Sequence, residues 1–310
     1  MTTRREVFPL LAGAAGVSAA ASSCTADTAP SEPELRRVPY QSARTGKERD
    51  YFVYLPRGFQ QSKSWPVMLF LHGDGERGDA KGELDFALVH GPVFEAWCQR
   101  RDLPFVIISP QLDKFSRGEI PYIKFRDRKQ IPQRLTSGIN PRPNARDVSL
   151  PGPMQGAMSD DKLPDGPAGP PDGWNEMESE LTAMVDRTIT DFKGDAKRVY
   201  LTGLSYGGFG AWNLAARHPQ KFAALAPIVG YAHPDHAAPI AKAKLPVWVF
   251  AGGRDPVVPL RYFYPALNQM ETLGHPEVRF TIEEDLGHLT WVRVYEGQDL
   301  YSWMLAHERK

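Results

Sequence analysis

Seven short runs of apolar, β-branched and aromatic residues recur along the chain, and each predicts a β-strand. The runs 67–71 and 105–109 are apolar without alternation, a pattern typical of strands buried on both faces of a parallel sheet. The predicted strands are 51–55, 67–71, 105–109, 199–202, 223–229, 247–251 and 278–282.

Helix-period segments lie between several of these strands. In 177–192 the apolar residues recur at helical spacing, and 206–217, 260–273 and about 298–307 are the other predicted helices. Strands that alternate with helices indicate βαβ units, which cross over right-handed. The predicted fold class is therefore α/β, with a doubly wound, mostly parallel sheet.

One long segment, 112–173, interrupts this alternation. It contains ten of the 28 prolines and seven of the 27 glycines. A connection of this length without strong helix or strand periodicity is unusual inside a compact domain, so we interpret it as an insertion, either functional or disordered. Basic residues dominate its first half and acidic residues its second half.

The first 23 residues resemble an export signal, with Arg4 and Arg5 ahead of a weakly apolar stretch. Paired arginines favour a twin-arginine signal, and an ordinary secretory signal is the alternative. Ala21-Ser22-Ser23-Cys24 resembles a lipoprotein site in which Cys24 carries the lipid, and cleavage after Ala21 is the competing interpretation. We predict an exported protein with a tether at 24–39 and a catalytic domain at 40–310, held at the membrane if Cys24 is lipidated.

The composition is that of an ordinary globular protein and narrows the function classes. The 37 basic and 37 acidic side chains balance, so no global charge favours nucleic acid. The sequence contains no run of about 18 apolar residues, so it predicts no membrane-spanning helix. Cys98 is the only cysteine after Cys24, and we expect it to be a free, buried thiol.

The motif Gly203-Leu204-Ser205-Tyr206-Gly207 follows a predicted strand and precedes a predicted helix. This strand–turn–helix context is that of a nucleophile elbow, in which a tight turn projects the serine hydroxyl above the sheet. Side chains two residues before and two residues after the serine would collide in such a turn, which explains Gly203 and Gly207. We therefore predict Ser205 as a catalytic nucleophile.

A serine hydroxyl needs a base, and the base needs an acid that orients it. In this architecture the partners follow in the order Ser, acid, His. Asp255 follows the strand 247–251, and His288 follows the strand 278–282. Because the carboxyl ends of parallel strands share one edge of the sheet, we predict Asp255 as the acid and His288 as the base. His275 lies in a turn and His307 near the chain end, so neither is favoured.

The acyl-transfer intermediate also requires donors for its oxyanion. We predict the backbone amides of Tyr206 and of Asp74 or Gly75, since the glycine-rich loop 72–78 follows an apolar strand. We interpret His72 as a packing residue that shapes this loop. His233 and His236 lack a third ligand and helical spacing, so no metal site is expected, and no nucleotide-binding motif implies a cofactor.

These residues resemble the α/β-hydrolase superfamily across nearly all of 40–309. More narrowly, they resemble bacterial carboxylesterases described as predicted peptidases, near the dienelactone hydrolase and prolyl oligopeptidase branches. Gly-Glu-Arg-Gly at 75–78 and Trp-Val-Phe at 248–250 before Gly-Gly-Arg-Asp carry this narrower resemblance. The insertion 112–173 departs from the family, in which this stretch is short and ends at a Trp, here Trp174.

The predicted function is hydrolysis of carboxylic esters through an acyl-enzyme. By resemblance, the substrates are small acyl or aryl esters, or ester substituents on plant polysaccharide. A peptidase, a phospholipase and a thioesterase remain the alternatives. For the insertion two interpretations stay open: its basic half pairs with its acidic half as an inert flap, or Arg126 and Arg128 bind aromatic or carboxylate-bearing substrates.

Overall fold

A single eight-stranded sheet organises the computed structural model, which describes residues 29–137, 170 and 172–309. The strand order is β1-β2-β4-β3-β5-β6-β7-β8. The first two strands pair antiparallel, β2 pairs antiparallel with β4, and the remaining pairs are parallel. The strands are β1 Glu34–Gln41, β2 Glu48–Leu55, β3 Trp65–Leu71, β4 Val106–Ser109, β5 Gly194–Leu204, β6 Ala224–Ile228, β7 Val247–Gly252 and β8 Val278–Glu283.

Helices cover both faces of this sheet. Alternate residues of β3 show why: Val67, Leu69 and Leu71 join the core on one face, whereas Met68 and Phe70 join the core on the other. The α-helices of the described residues are α1 Pro121–Lys124, α2 Glu178–Asp191, α3 Tyr206–Arg217, α4 Ala237–Ala243, α5 Tyr264–Thr272, α6 Trp291–Glu296 and α7 Asp299–Leu305. Helices α2 to α5 pack on the first face, and α6, α7 and parts of 84–105 pack on the second. The predicted doubly wound α/β class is confirmed.

The beginning of the sheet corrects one predicted boundary. Residues 34–39 were assigned to the tether, but they belong to β1, whose eight residues pair in register with β2. In β1 only Val38 is buried, because the strand lies at the edge of the sheet and pairs with one neighbour only. Its sequence therefore has none of the apolar periodicity by which the other strands were recognised.

Only part of the insertion 112–173 lies within the described residues. Its first segment forms short 3-10 turns at Phe115–Glu119 and Arg128–Gln130, with α1 between them. The predicted export signal, Cys24 and residues 138–169 lie outside the described residues. Within the described part of the chain, no helix has both the length and the apolar character needed to cross a membrane.

Candidate active site

Ser205 lies in the sharp turn that joins β5 to α3. Its backbone has φ 50° and ψ −117°, an unusual conformation for a residue with a Cβ. The surroundings are equally tight, because a Cβ on Gly207 would lie 1.8 Å from the carbonyl oxygen of Leu71. A Cβ on Gly203 would lie 2.2 Å from the Gly207 carbonyl oxygen. The turn thus has the geometry of a nucleophile elbow.

His288 and Asp255 meet Ser205 at the carboxyl edge of the sheet. The Nε2 atom of His288 lies 3.1 Å from the Oγ atom of Ser205, and its Nδ1 atom lies 2.8 Å from Oδ2 of Asp255. Asp255 is fully buried, and its Oδ1 atom accepts hydrogen bonds from the amides of Val257 and Val258 at 2.8 and 3.0 Å. The structure therefore brings the three residues predicted as a triad into one hydrogen-bonded chain.

The other histidines considered in the sequence lie elsewhere. Glu277, which precedes β8 at the opposite edge of the sheet, donates its amide to Nδ1 of His275 at 3.1 Å. The Nε2 atom of His307 lies 3.1 Å from the carboxylate of the same glutamate. Asp285, which follows β8, binds Arg293 at 2.7 Å rather than His288. This arrangement favours Asp255 as the acid.

Tyr206 is the first residue of α3, where helix geometry leaves the amide without an intrahelical acceptor. Asp74 and Gly75 begin a 3-10 turn after β3, on the loop 72–78. The start of this loop contacts the elbow, since a Cβ on Gly207 would lie 2.7 Å from the His72 carbonyl oxygen. The fold thus brings both sets of predicted oxyanion donors to the neighbourhood of Ser205.

His72 shapes this loop from within the core. Its Nδ1 donates to the Gly73 carbonyl at 2.7 Å, and its Nε2 accepts from the Leu112 amide at 2.9 Å. Burial lowers the pKa of His72 to about 3, so the ring is neutral. The indole of Trp174 donates to the His72 carbonyl at 3.1 Å. These bonds agree with the predicted packing role and leave His72 without a proton-transfer task.

A cleft of about 370 Å³ opens beside Ser205. Four aromatic side chains line it, together with Arg117 of the insertion and the turn 257–259 that follows Asp255. The aromatic residues are Tyr206, Phe209, Tyr231 and Tyr262. Sequence analysis missed these lining roles. Tyr231 and Tyr262 follow the carboxyl ends of β6 and β7, a position that would have indicated them, whereas no sequence signal identifies Arg117.

Arg126 and Arg128 are absent from the lining of this cleft, which corrects the hypothesis that they bind substrate there. Arg126 is 5% exposed and forms an ion pair with Glu83 at 3.0 Å. Arg128 donates to the Gly82 carbonyl at 2.7 Å. Among the described residues, the partners of these two side chains lie in the segment 75–86, outside the insertion. Most of the acidic half, with which the other interpretation pairs them, lies outside the described residues.

Cys98 is a buried free thiol, as predicted, and burial raises its pKa to about 12. His233 accepts a hydrogen bond from the Asp235 amide at 3.2 Å, a bond within its own turn. Among the described residues, no group of three or more His, Cys, Asp or Glu side chains is arranged to hold a metal ion.

The fold is that of α/β-hydrolases, since the chain superposes on solved structures of an esterase and of a putative dienelactone hydrolase. Residues 170–283 match the model of the Dienelactone hydrolase family. The matched segment contains Ser205 and Asp255 and ends shortly before His288. The shared fold and this family match agree with the predicted superfamily and with the predicted hydrolase. No curated protein matches the sequence.

Several solved structures share the fold. A thermostable esterase superposes with a TM-score of 0.58 at 22% identity, over 89% of this chain and 63% of that protein. The chain thus spans less than two thirds of that esterase. A ferulic acid esterase from Anaeromyces mucronatus, in complex with ferulic acid, has a TM-score of 0.51 at 16% identity, over 88% of this chain and 89% of that one. An S-formylglutathione hydrolase from Staphylococcus aureus has a TM-score of 0.54 at 13% identity, over 88% and 96%.

Proposed function

We propose that the protein is a serine esterase that cleaves carboxylic esters through an acyl-enzyme. The observation that carries this proposal is the chain of hydrogen bonds from Asp255 through His288 to Ser205, at 2.8 and 3.1 Å. Because an ionised carboxylate only accepts hydrogen bonds, Asp255 holds the proton of His288 on Nδ1. The lone pair of Nε2 then faces the serine hydroxyl, as a general base requires.

In the first half-reaction Ser205 Oγ bonds to the ester carbonyl carbon and its proton passes to Nε2 of His288. The carbonyl oxygen becomes an oxyanion, which accepts hydrogen bonds from the amide of Tyr206 and from that of Asp74 or Gly75. Collapse of this intermediate breaks the bond to the alcohol, which leaves with the proton from His288. Water then repeats the sequence on the acyl-enzyme and releases the acid.

We propose esters with an aromatic acyl group as the preferred substrates, including such substituents on plant polysaccharide. The support is the lining of the cleft beside Ser205, in which Phe209 and Tyr231 pack edge to face at 4.7 Å and Tyr262 lies 5.5 Å from Tyr231. Such rings favour flat apolar groups by stacked or edge-to-face contact. The named ligand of the ferulic acid esterase structure is an aromatic acid of this type.

A substrate panel tests both parts of this proposal. It contains p-nitrophenyl acetate and butyrate, methyl cinnamate, methyl ferulate, a thioester, a phospholipid and a peptide amide, each with the wild type and with Ser205→Ala. We expect turnover of esters that Ser205→Ala abolishes, with the highest kcat/KM for the cinnamate esters. A higher kcat/KM for the peptide amide than for the esters would instead establish a peptidase. A higher kcat/KM for the thioester or the phospholipid would establish a thioesterase or a phospholipase.

We further propose that the protein is exported and that Cys24 carries a lipid. The support is the sequence of residues 1–24 alone, with the arginine pair at Arg4 and Arg5 and the small residues before Cys24.

A further inference from the structure

The loop 72–78 carries Asp74 and Gly75, whose amides are the predicted oxyanion donors, and it contains three glycines. Glycine-rich backbone loses much conformational freedom when it becomes ordered. An oxyanion hole requires donors that are fixed before the reaction begins. What holds this loop in place therefore bears directly on the rate of the chemical step.

Arg117 of the insertion binds the loop through the side chain of Asp74. Its Nε donates to Oδ1 of Asp74 at 2.9 Å, and its Nη2 donates to Oδ2 at 2.7 Å. Arg77 donates to the same Oδ1 at 2.5 Å, and the hydroxyl of Tyr122 donates to Oδ2. Asp74 is 8% exposed; burial alone would raise its pKa, but the donors on Arg117, Tyr122 and Arg77 lower it overall. The charged side chain of Asp74 is thus bound by Arg117 and Tyr122 of the insertion.

Arg126 binds the same loop through the backbone. Its Nη1 donates to the carbonyl of Gly75 at 3.0 Å and to the carbonyl of Arg77. The guanidinium carbon lies 3.8 Å from the centre of the Phe86 ring, and Glu83 balances its charge at 3.0 Å. Two carbonyls bound by one planar, buried guanidinium fix the 75–76 and 77–78 peptide planes of the loop.

The same cluster reaches the other predicted donor. The guanidinium carbons of Arg77 and Arg117 lie 4.7 and 5.0 Å from the centre of the Tyr206 ring. Tyr206 follows Ser205, and its own amide faces the oxyanion in the proposed mechanism. The arginines therefore link the two sides of the oxyanion hole.

We propose that Arg117 and Arg126 are positioning residues, through which the insertion holds the oxyanion hole in its reactive geometry. This inference rests on the proposed esterase function. In this role the described part of the insertion stabilises the transition state. It differs from the two earlier interpretations, in which Arg126 and Arg128 bind substrate or the insertion is an inert flap.

The experiment compares Arg126→Met, Arg126→Lys and Arg117→Met with the wild type, using p-nitrophenyl butyrate. Methionine keeps an apolar stem for packing on Phe86 but removes the donors. Since a displacement of about 1 Å costs on the order of 100-fold in rate, we expect kcat to fall about 10- to 100-fold in both methionine variants. In Arg126→Met we expect KM to stay within about threefold, because Arg126 does not line the cleft and an interaction made only in the transition state does not affect substrate binding. Arg126→Lys should recover part of the loss.

A trifluoromethyl ketone inhibitor provides a second readout. Ser205 Oγ adds to its carbonyl carbon, the serine proton passes to His288, and the carbonyl oxygen becomes an oxyanion in the hole. Its inhibition constant should rise in each variant in proportion to the loss of kcat/KM. A purely structural defect would instead reduce the fraction of active enzyme, which titration of Ser205 with a fluorophosphonate measures. Lys124→Met is the matched control on the same insertion, since Lys124 pairs with the exposed Glu119.

Wild-type kcat in Arg126→Met, or a rise of KM at constant kcat, would overturn the inference while leaving the esterase intact. If Arg126→Met does not fold, Arg126→Lys and Arg117→Met decide by the same criteria. Equal losses in Lys124→Met would also overturn it. A wild type that hydrolyses no ester would overturn the proposed function and this inference together.

Discussion

The Nδ1 atom of His288 lies 2.8 Å from Oδ2 of Asp255, and this pairing determines which nitrogen of the imidazole is free to act as a base. Asp255→Asn replaces an acceptor by an amide that also donates, so the imidazole is held in the wrong tautomer for removing the serine proton. We expect Asp255→Asn to lower kcat by about 10⁴-fold, measured as ester hydrolysis in the steady state. Ser205→Ala and His288→Ala should each lose more, about 10⁶-fold, and the double variant should lose no more than either. Full activity in Asp255→Asn would show that another carboxylate, Asp285 or Glu284, is the acid that orients His288.

The backbone contact between Gly207 and the end of β3 predicts a large effect on stability. In Gly207→Ala the new Cβ would lie 1.8 Å from the Leu71 carbonyl oxygen, so the helix and the strand must separate. We expect the free energy of unfolding to fall by about 3 kcal/mol, measured by denaturant titration. Gly75→Ala is the control, because a Cβ there has no neighbour within 4 Å. Equal stability of the two variants would show that the elbow tolerates a methyl group.

The buried carboxyl of Glu76 predicts a pH-dependent stability. Burial raises its pKa from the ordinary value of 4.5 to about 7, despite the opposing backbone amides of Glu76 and Gly73. His72 and His90 lie 3.8 and 3.7 Å from its oxygens, and Asp74 and Arg126 also act on it. Between these pKa values the folded state binds the proton more tightly than the unfolded state. The contribution of Glu76 to the free energy of unfolding is therefore largest at low pH. It decreases as the pH rises from about 4.5 to 7 and is smallest above pH 7.

Glu76→Gln removes this titration. We expect the free energy of unfolding of the variant relative to the wild type to rise by roughly 3 kcal/mol between pH 4.5 and pH 8, measured by denaturant titration at several pH values. The comparison cancels the other titrating groups. A difference that stays constant across this range would contradict the raised pKa.

The aromatic wall of the cleft predicts selective effects on aryl substrates. Tyr262→Ala removes the ring that lies 5.5 Å from Tyr231. Because an aromatic contact contributes about 1 kcal/mol, we expect kcat/KM for methyl cinnamate to fall about fivefold. The value for p-nitrophenyl acetate, whose acyl group has no ring to contact the wall, should change less than twofold. Equal losses for both esters would remove Tyr262 from acyl recognition.

The proposed export route is tested in cells. Replacing both Arg4 and Arg5 by lysine should retain the precursor in the cytoplasm if the twin-arginine route is used, and normal export would indicate the general secretory route. Cys24→Ala should release the mature protein in soluble form, as measured by fractionation. Mass spectrometry that finds an unmodified N-terminus at Ser22 would exclude the lipid.

The relation between sequence and site differs from residue to residue. Asp255 and His288 could be predicted because each follows an apolar strand, and the carboxyl ends of parallel strands converge at one edge. Arg117 and Arg126 could not be assigned in this way. Their partners Asp74, Gly75 and Arg77 lie on another loop, and no periodicity specifies the path by which an irregular insertion returns to it. For the same reason Arg126 was expected to contact substrate, although it is buried against Phe86 and Glu83.

The sequence by itself determined the α/β class, the seven apolar strands and the elbow at Ser205, because these follow from local rules. Burial on both faces removes polar alternation, and the tight turn requires glycine two residues before and two residues after the nucleophile. Only the tertiary structure decided that residues 34–41 form an edge strand, since an exposed antiparallel strand needs backbone pairing but little apolar surface. It also decided that His72 is bound to Leu112, and that two arginines of the insertion contact the loop of Asp74. Those contacts join segments far apart in the chain, and their free energy depends on a proximity that only the completed sheet creates.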